Sequence, residues 1–291
     1  MKRNGYVNGI AVVSVAVVLS ACGGGGSDGV VSSCYMPTTV KTIRYHRGNS
    51  YISDTNLSYD SNGYLIETVG LSTGPEGNDS YRTTYRYDGK KLLEKNEYRN
   101  NELNEKIFYG YYDSGSREYK KYFDCEDGVC SDEPFSETHY LYDEVNQSKL
   151  LKEEWNRQDD GTYSQYQEYI WESGRVVRLE TSNGMQTDYS YGVTGDIIHV
   201  EDNFSQRDYQ YDDERYLIQY DYNTTHYQEQ SVFTYLFDTH HNPTEINTTT
   251  NGELEKIRKT TWRKFSKCPQ FDMKKEINDM LGVEYPLPSE L

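Results

Sequence analysis

Self-similarity at a step of 20 to 30 residues restricts this chain to an architecture built from short repeated β units. In each unit an aromatic, usually followed by Asp, ends one stretch, a polar turn follows, and an aliphatic opens the next. The units start at Tyr59-Asp60, Tyr87-Asp88, Tyr112-Asp113, Tyr142-Asp143, Trp171-Glu172, Tyr191-Gly192, Tyr211-Asp212 and Phe237-Asp238. In six of the eight a second aromatic lies two residues earlier: Tyr85, Tyr140, Tyr169, Tyr189, Tyr209 and Tyr235. A spacing of two puts both rings on one face of a strand. Six residues after the leading aromatic, five units carry Leu65, Leu93, Val177, Ile197 or Leu217. Ser61-Asn62-Gly63, Asp88-Gly89 and Ser173-Gly174 supply the positive φ that tight turns need. Each unit therefore predicts a β-hairpin, with the Asp after the ring accepting backbone N–H bonds across its own turn.

The motif resembles the YD repeat of the RHS family, roughly Tyr-x-Tyr-Asp-x-x-Gly-x-Leu. Tyr59-Asp60-Ser61-Asn62-Gly63-Tyr64-Leu65 and Tyr209-Gln210-Tyr211-Asp212 with Leu217 carry the resemblance, which covers about residues 43 to 250. It implies strands wound into a curled sheet or shell. Eight hairpins supply about sixteen strands, more than an open twisted sheet holds without curling. The expected fold is all-β, an antiparallel meander of hairpins forming a large curled sheet or open barrel or shell. Residues 254 to 265 read as a final strand. Asp272 to Leu281 read as a short amphipathic C-terminal helix, with Asp272 as N-cap and Gly282 as its stop. That helix is expected to cover a sheet edge or plug an opening.

At the N-terminus, Lys2 and Arg3 precede an apolar run from Ile10 to Leu19, and Leu19-Ser20-Ala21-Cys22 follows. This segment resembles the lipobox of bacterial lipoproteins, which implies cleavage before Cys22 and lipidation of that cysteine. The run of about ten apolar residues is too short for a bilayer-spanning helix, which needs roughly 20. Gly23 in place of Asp after the cysteine implies, by the same resemblance, the outer membrane. Gly23 to Gly26 with Ser27 make a flexible tether. The expected organisation is a signal peptide over 1–21, a lipidated tether over 22–32, the repeat domain over 33–268, and a short helix with tail over 269–291.

Cys22 taken by lipid leaves Cys34, Cys125, Cys130 and Cys268, an even number in an exported chain. Cys125 and Cys130 flank an Asp127-Gly128 turn, which favours a local bridge and leaves Cys34 for Cys268. One C-x4-C pair lacks the ligand spacing of a zinc site.

Charge narrows the partners. Removing residues 1–21 takes away Lys2 and Arg3 and no acid, leaving 28 basic against 47 acidic side chains, a net charge of −19. Nucleic acid, whose binding rests on neutralising phosphates, is not an expected ligand. His46, His139, His199, His226, His240 and His241 form no metal-binding or catalytic motif, and the chain carries no phosphate-binding glycine loop or nucleophile elbow. No cofactor, metal or catalytic residue is expected. The 30 tyrosines could line a surface that stacks on sugar rings or anchors a protein. Two functions follow from the sequence: a non-enzymatic, membrane-anchored binding or scaffold module for an envelope protein or polysaccharide, or an RHS-like shell around a polypeptide or lipid. A glycan-acting enzyme is a third.

Overall fold

The computed structural model describes residues 34–265, apart from 47, 147–148 and 158–161. These form nineteen strands and no helix. The first half comprises β1 (Cys34–His46), β2 (Asn49–Tyr59), β3 (Leu65–Gly74), β4 (Gly77–Asp88), β5 (Lys91–Arg99), β6 (Glu102–Tyr111), β7 (Arg117–Glu126), β8 (Val129–Cys130) and β9 (Ser136–Tyr142). The second comprises β10 (Leu150–Arg157), β11 (Tyr163–Glu172), β12 (Arg175–Thr181), β13 (Gln186–Tyr191), β14 (Ile197–Asp202), β15 (Ser205–Tyr211), β16 (Leu217–Thr224), β17 (Gln228–Phe237), β18 (Pro243–Thr250) and β19 (Glu253–Phe265).

Each strand pairs antiparallel with the next, except that β8 forms a two-residue hairpin on the end of β7 and β9 pairs directly with β7. β1 then pairs with β19, from Cys34 opposite Phe265 to Arg44 opposite Lys256. The sheet is therefore a closed antiparallel barrel of eighteen strands, and closure removes the open edges that a meander would leave. The expected β architecture is what the chain adopts, and it takes the closed form. The proposed C-terminal helix, Cys22 and Cys268 lie outside the described residues.

All eight repeat turns lie at one rim of the barrel, which also carries the start of β1 and the end of β19. Four of them are capped by the Asp that follows the ring. In the first, Gly63 N donates to Asp60 O at 3.1 Å and Asp60 N to Tyr64 O at 2.9 Å, while the Asp60 carboxylate accepts from Asn62 N and Tyr64 N. The Asp143, Asp212 and Asp238 side chains accept turn N–H groups in the same way. Beyond each turn the ladder slips by one residue. Tyr59 faces Leu65 but Ser58 faces Glu67, Tyr211 faces Leu217 but Gln210 faces Gln219, and Phe237 faces Pro243 but Leu236 faces Glu245. A bulge of this kind bends the strand and sharpens its twist, and eight of them at one rim curve the sheet on itself.

Turn length decides which aliphatic enters the core. In the shorter turns after Tyr87 and Trp171 it is Leu92 and Val176 that face the leading ring and are buried, one residue before the expected Leu93 and Val177.

Candidate functional site: the inner face of the barrel

Alternation along every strand gives the sheet two distinct faces. Following the register around the ring, Leu57 faces Thr68, Thr68 faces Thr83, and Tyr85 on the same strand faces Lys95, which faces Ile107. On the far wall Tyr140 faces Glu153, Tyr169 faces Leu179, Tyr189 faces Val200, Tyr209 faces Tyr220 and Phe233 faces Thr248. These positions contain the buried residues of both apolar clusters. Among the described residues nothing packs over the convex face of the single sheet, so the face that carries the buried residues is the inside.

The inner face is graded along the barrel. Toward the repeat rim it is apolar, with Leu65, Leu150, Val176, Ile197, Leu217 and Ile246 all buried. Indole and phenol groups bridge neighbouring hairpins there by donating to the backbone carbonyl of the preceding unit. Tyr111 reaches Leu92 O at 2.9 Å, Trp171 reaches Leu150 O at 2.7 Å, Tyr191 reaches Val176 O at 2.5 Å and Tyr211 reaches Ile197 O at 3.0 Å. In the last repeat the leading residue is Phe237, which has no hydroxyl, and Tyr235 two residues earlier donates to Leu217 O instead, at 2.5 Å. These bonds favour Tyr or Trp at the positions that make them, and the spacing of aromatics and aliphatics was the signal for those positions. The Tyr87 hydroxyl, which occupies the equivalent place beside Leu65, is buried without a hydrogen-bond partner.

Toward the opposite rim the inner face becomes polar. Lys95 pairs with Glu97 at 2.5 Å, and Glu97 faces Glu105 across the ladder. Burial, and then the neighbouring Glu97 charge, raise the Glu105 carboxyl above the ordinary carboxylate range. The buried Glu153 carboxylate accepts from Gln167 at 2.9 Å and from the Tyr169 hydroxyl at 3.1 Å. On the closing strands Arg44, Lys256 and Arg258 stand together, with Arg258 donating to Thr42 at 3.2 Å. Burial, with the Arg258 and Arg44 charges, lowers the Lys256 ammonium to about 8.

The outer face is a lattice of cross-strand ion pairs. Arg82 meets Glu67 at 2.6 Å, Arg178 meets Asp188 at 2.6 Å, Lys152 meets Glu168 at 3.6 Å and Lys259 meets Glu245 at 3.0 Å. The His199 ring lies on Asp208 there, at 2.6 Å.

The cysteines and histidines fall as follows. Cys125 and Cys130 are bridged, with an S–S distance of 2.02 Å, across the turn that contains Asp127 and Gly128. The backbone of Cys34 lies opposite Phe265. The histidines are scattered: His46 and His226 lie near the rim opposite the repeat turns, His240 and His241 in the last repeat turn, and His139 and His199 on β9 and β14. Among the described residues no group of three His, Cys, Asp or Glu side chains gathers to hold a metal.

Comparison with protein families and with curated proteins gives no match. Among solved structures, a porin-like protein from Bacteroides uniformis is 13% identical with a TM-score of 0.46, the match covering 80% of this chain and 96% of that one. A porin-like protein from Bacteroides vulgatus is 12% identical with a TM-score of 0.25, covering 78% of this chain and 98% of that one. The Tc holotoxin pore of Photorhabdus luminescens is 10% identical with a TM-score of 0.27, covering 77% of this chain but 18% of that one. Likeness at this level carries no functional argument, and the fold assignment rests on the chain's own strand pairing.

Proposed function

We propose that this chain is a lipid-anchored, non-enzymatic binding module of the outer membrane, whose barrel stands in water and presents its inner face to an envelope protein or a polysaccharide. The observation that carries the reading is the sorting of side chains around the closed ring: the buried phenol rings and a group of polar and charged side chains inward, most of the cross-strand ion pairs outward. Aromatic rings beside amides and carboxylates suit both sugar faces and polypeptide. The outward charges favour a barrel outside the bilayer, since each Lys or Arg on a lipid-facing strand costs about 2–4 kcal/mol at the membrane midplane. The lipobox-like segment ending in Cys22 then supplies the attachment.

The RHS-like reading, a shell around a polypeptide or lipid, gains support from ring closure and from the gathering of all repeat turns at one rim.

The deciding experiment is recovery of affinity-tagged full-length protein from its native envelope after mild cross-linking. A stoichiometric protein or a co-purifying glycan supports the binding module. Recovery of the chain with neither, from an envelope fraction that retains it, sinks the reading. Cys22→Ser is expected to move the protein out of the membrane fraction, and retention there would overturn the anchor.

A further inference from the structure

Among the described residues, a trough of about 360 Å³ crosses the outer face at the seam, over β2, β1 and β19. Its floor is the backbone at Val40, whose side chain is buried on the inner face, and two rows of outward side chains wall it. The row nearer the repeat rim is uncharged. It consists of Asn56, Thr39 and Thr261, each directly opposite the next. The other row runs Asp54, Lys41, Lys259 and, on β18, Glu245, again in direct register.

The two lysines set this row apart. Like charges directly opposite each other on a sheet are destabilising, and closure of the ring does not call for two ammoniums there. Asp54 meets Lys41 at 3.4 Å and Glu245 meets Lys259 at 3.0 Å, each from the side away from the other lysine. Both lysines are open to water, where such pairs are weak. An anion placed between them therefore gains two charge-assisted hydrogen bonds and relieves their repulsion. The backbone is adapted at the same place. Thr38 is the extra residue where β1 slips between Pro37 and Thr39, and its hydroxyl donates to Thr261 O at 3.2 Å. Bulges of this kind re-aim side chains beside sites.

We propose that the trough binds a uronate unit of an acidic polysaccharide. Lys41 and Lys259 share the sugar's carboxylate, while Asn56, Thr39 and Thr261 take up its hydroxyls. Asp54 selects a sugar over a bare anion, because it repels phosphate or sulfate but accepts a hydrogen bond from a sugar hydroxyl. The site lies on the outer face and stands apart from binding at the inner one.

The test titrates oligogalacturonate into the full-length protein in detergent by calorimetry, beside a neutral galactose oligomer and sodium phosphate. Saturable binding of the uronate alone is expected. Lys41→Gln and Lys259→Gln should each weaken it about tenfold, through loss of one hydrogen bond to a charged group. Lys152→Gln, an outward lysine remote from the seam, should leave it unchanged. No uronate binding, equal binding of the neutral oligomer or of phosphate, or an affinity untouched by both seam substitutions overturns the site and leaves the inner-face reading standing. Should either variant melt early, the parent protein's discrimination between the uronate and the two comparison ligands still decides.

Discussion

Tyr211 and Tyr87 occupy equivalent places in the seventh and second repeats and differ in one hydrogen bond. Tyr211→Phe loses the bond to Ile197 O and is expected to cost about 1 kcal/mol, whereas Tyr87→Phe removes a buried hydroxyl with no partner and is expected to be neutral or stabilising. Denaturant melts of the two variants check the contrast, and equal losses would show that the phenols act through their rings alone. His241 adopts φ 59° at the turn position that Gly63 fills in the first repeat. His241→Gly is expected to stabilise by roughly 1 kcal/mol, because a non-glycine residue pays for the left-handed conformation. Glu105 supplies a pH dependence. Its folded pKa is raised, so its contribution is fully present below the unfolded value near 4.3 and is lost as pH rises through the folded value. Glu105→Gln should therefore raise the melting temperature at pH 7 and lose that advantage near pH 4. An advantage that persists in acid would place the effect elsewhere.

The hairpin is the unit that packs. One ring, one aliphatic and one bulge recur in each, so truncating a single aliphatic tests the whole element. Leu217 is 2% exposed and its carbonyl receives Tyr235. Leu217→Ala should cost about 2–5 kcal/mol through lost burial and the cavity left behind, read as a lower midpoint with an unchanged denaturant slope. The hairpins themselves were legible in the sequence, because alternation and turn chemistry act within about ten residues. The far-rim turns were harder to place, since they carry no shared motif and are bounded only by the strands between them. Nor could the buried choice of Leu92 over Leu93 be read, because it depends on how the shorter turn resets the register.

At the scale of the whole molecule, the closing contact is the β1–β19 seam. Its register sets Cys34 opposite Phe265, three positions before Cys268. Cys268→Ser is expected to lower the melting temperature in oxidising buffer and leave the repeat fold intact; an unchanged temperature would refute the bridge to Cys34. In the simple loop model a bridge spanning that much chain contributes roughly 5 kcal/mol. The inner polar groups were not legible as a site. Glu97 and Glu105 are ordinary acids in the sequence until the ladder sets them side by side, and Arg44 meets Lys256 and Arg258 only through pairing of the first strand with the last. Local sequence determined the β class, the eight hairpins, the Asp-capped turns and the ring faces, because each depends on residues close along the chain. Closure into eighteen strands, the choice of inner face and the pairing of distant charges were decided by tertiary structure alone, because they depend on accumulated twist and on contacts between residues more than two hundred positions apart.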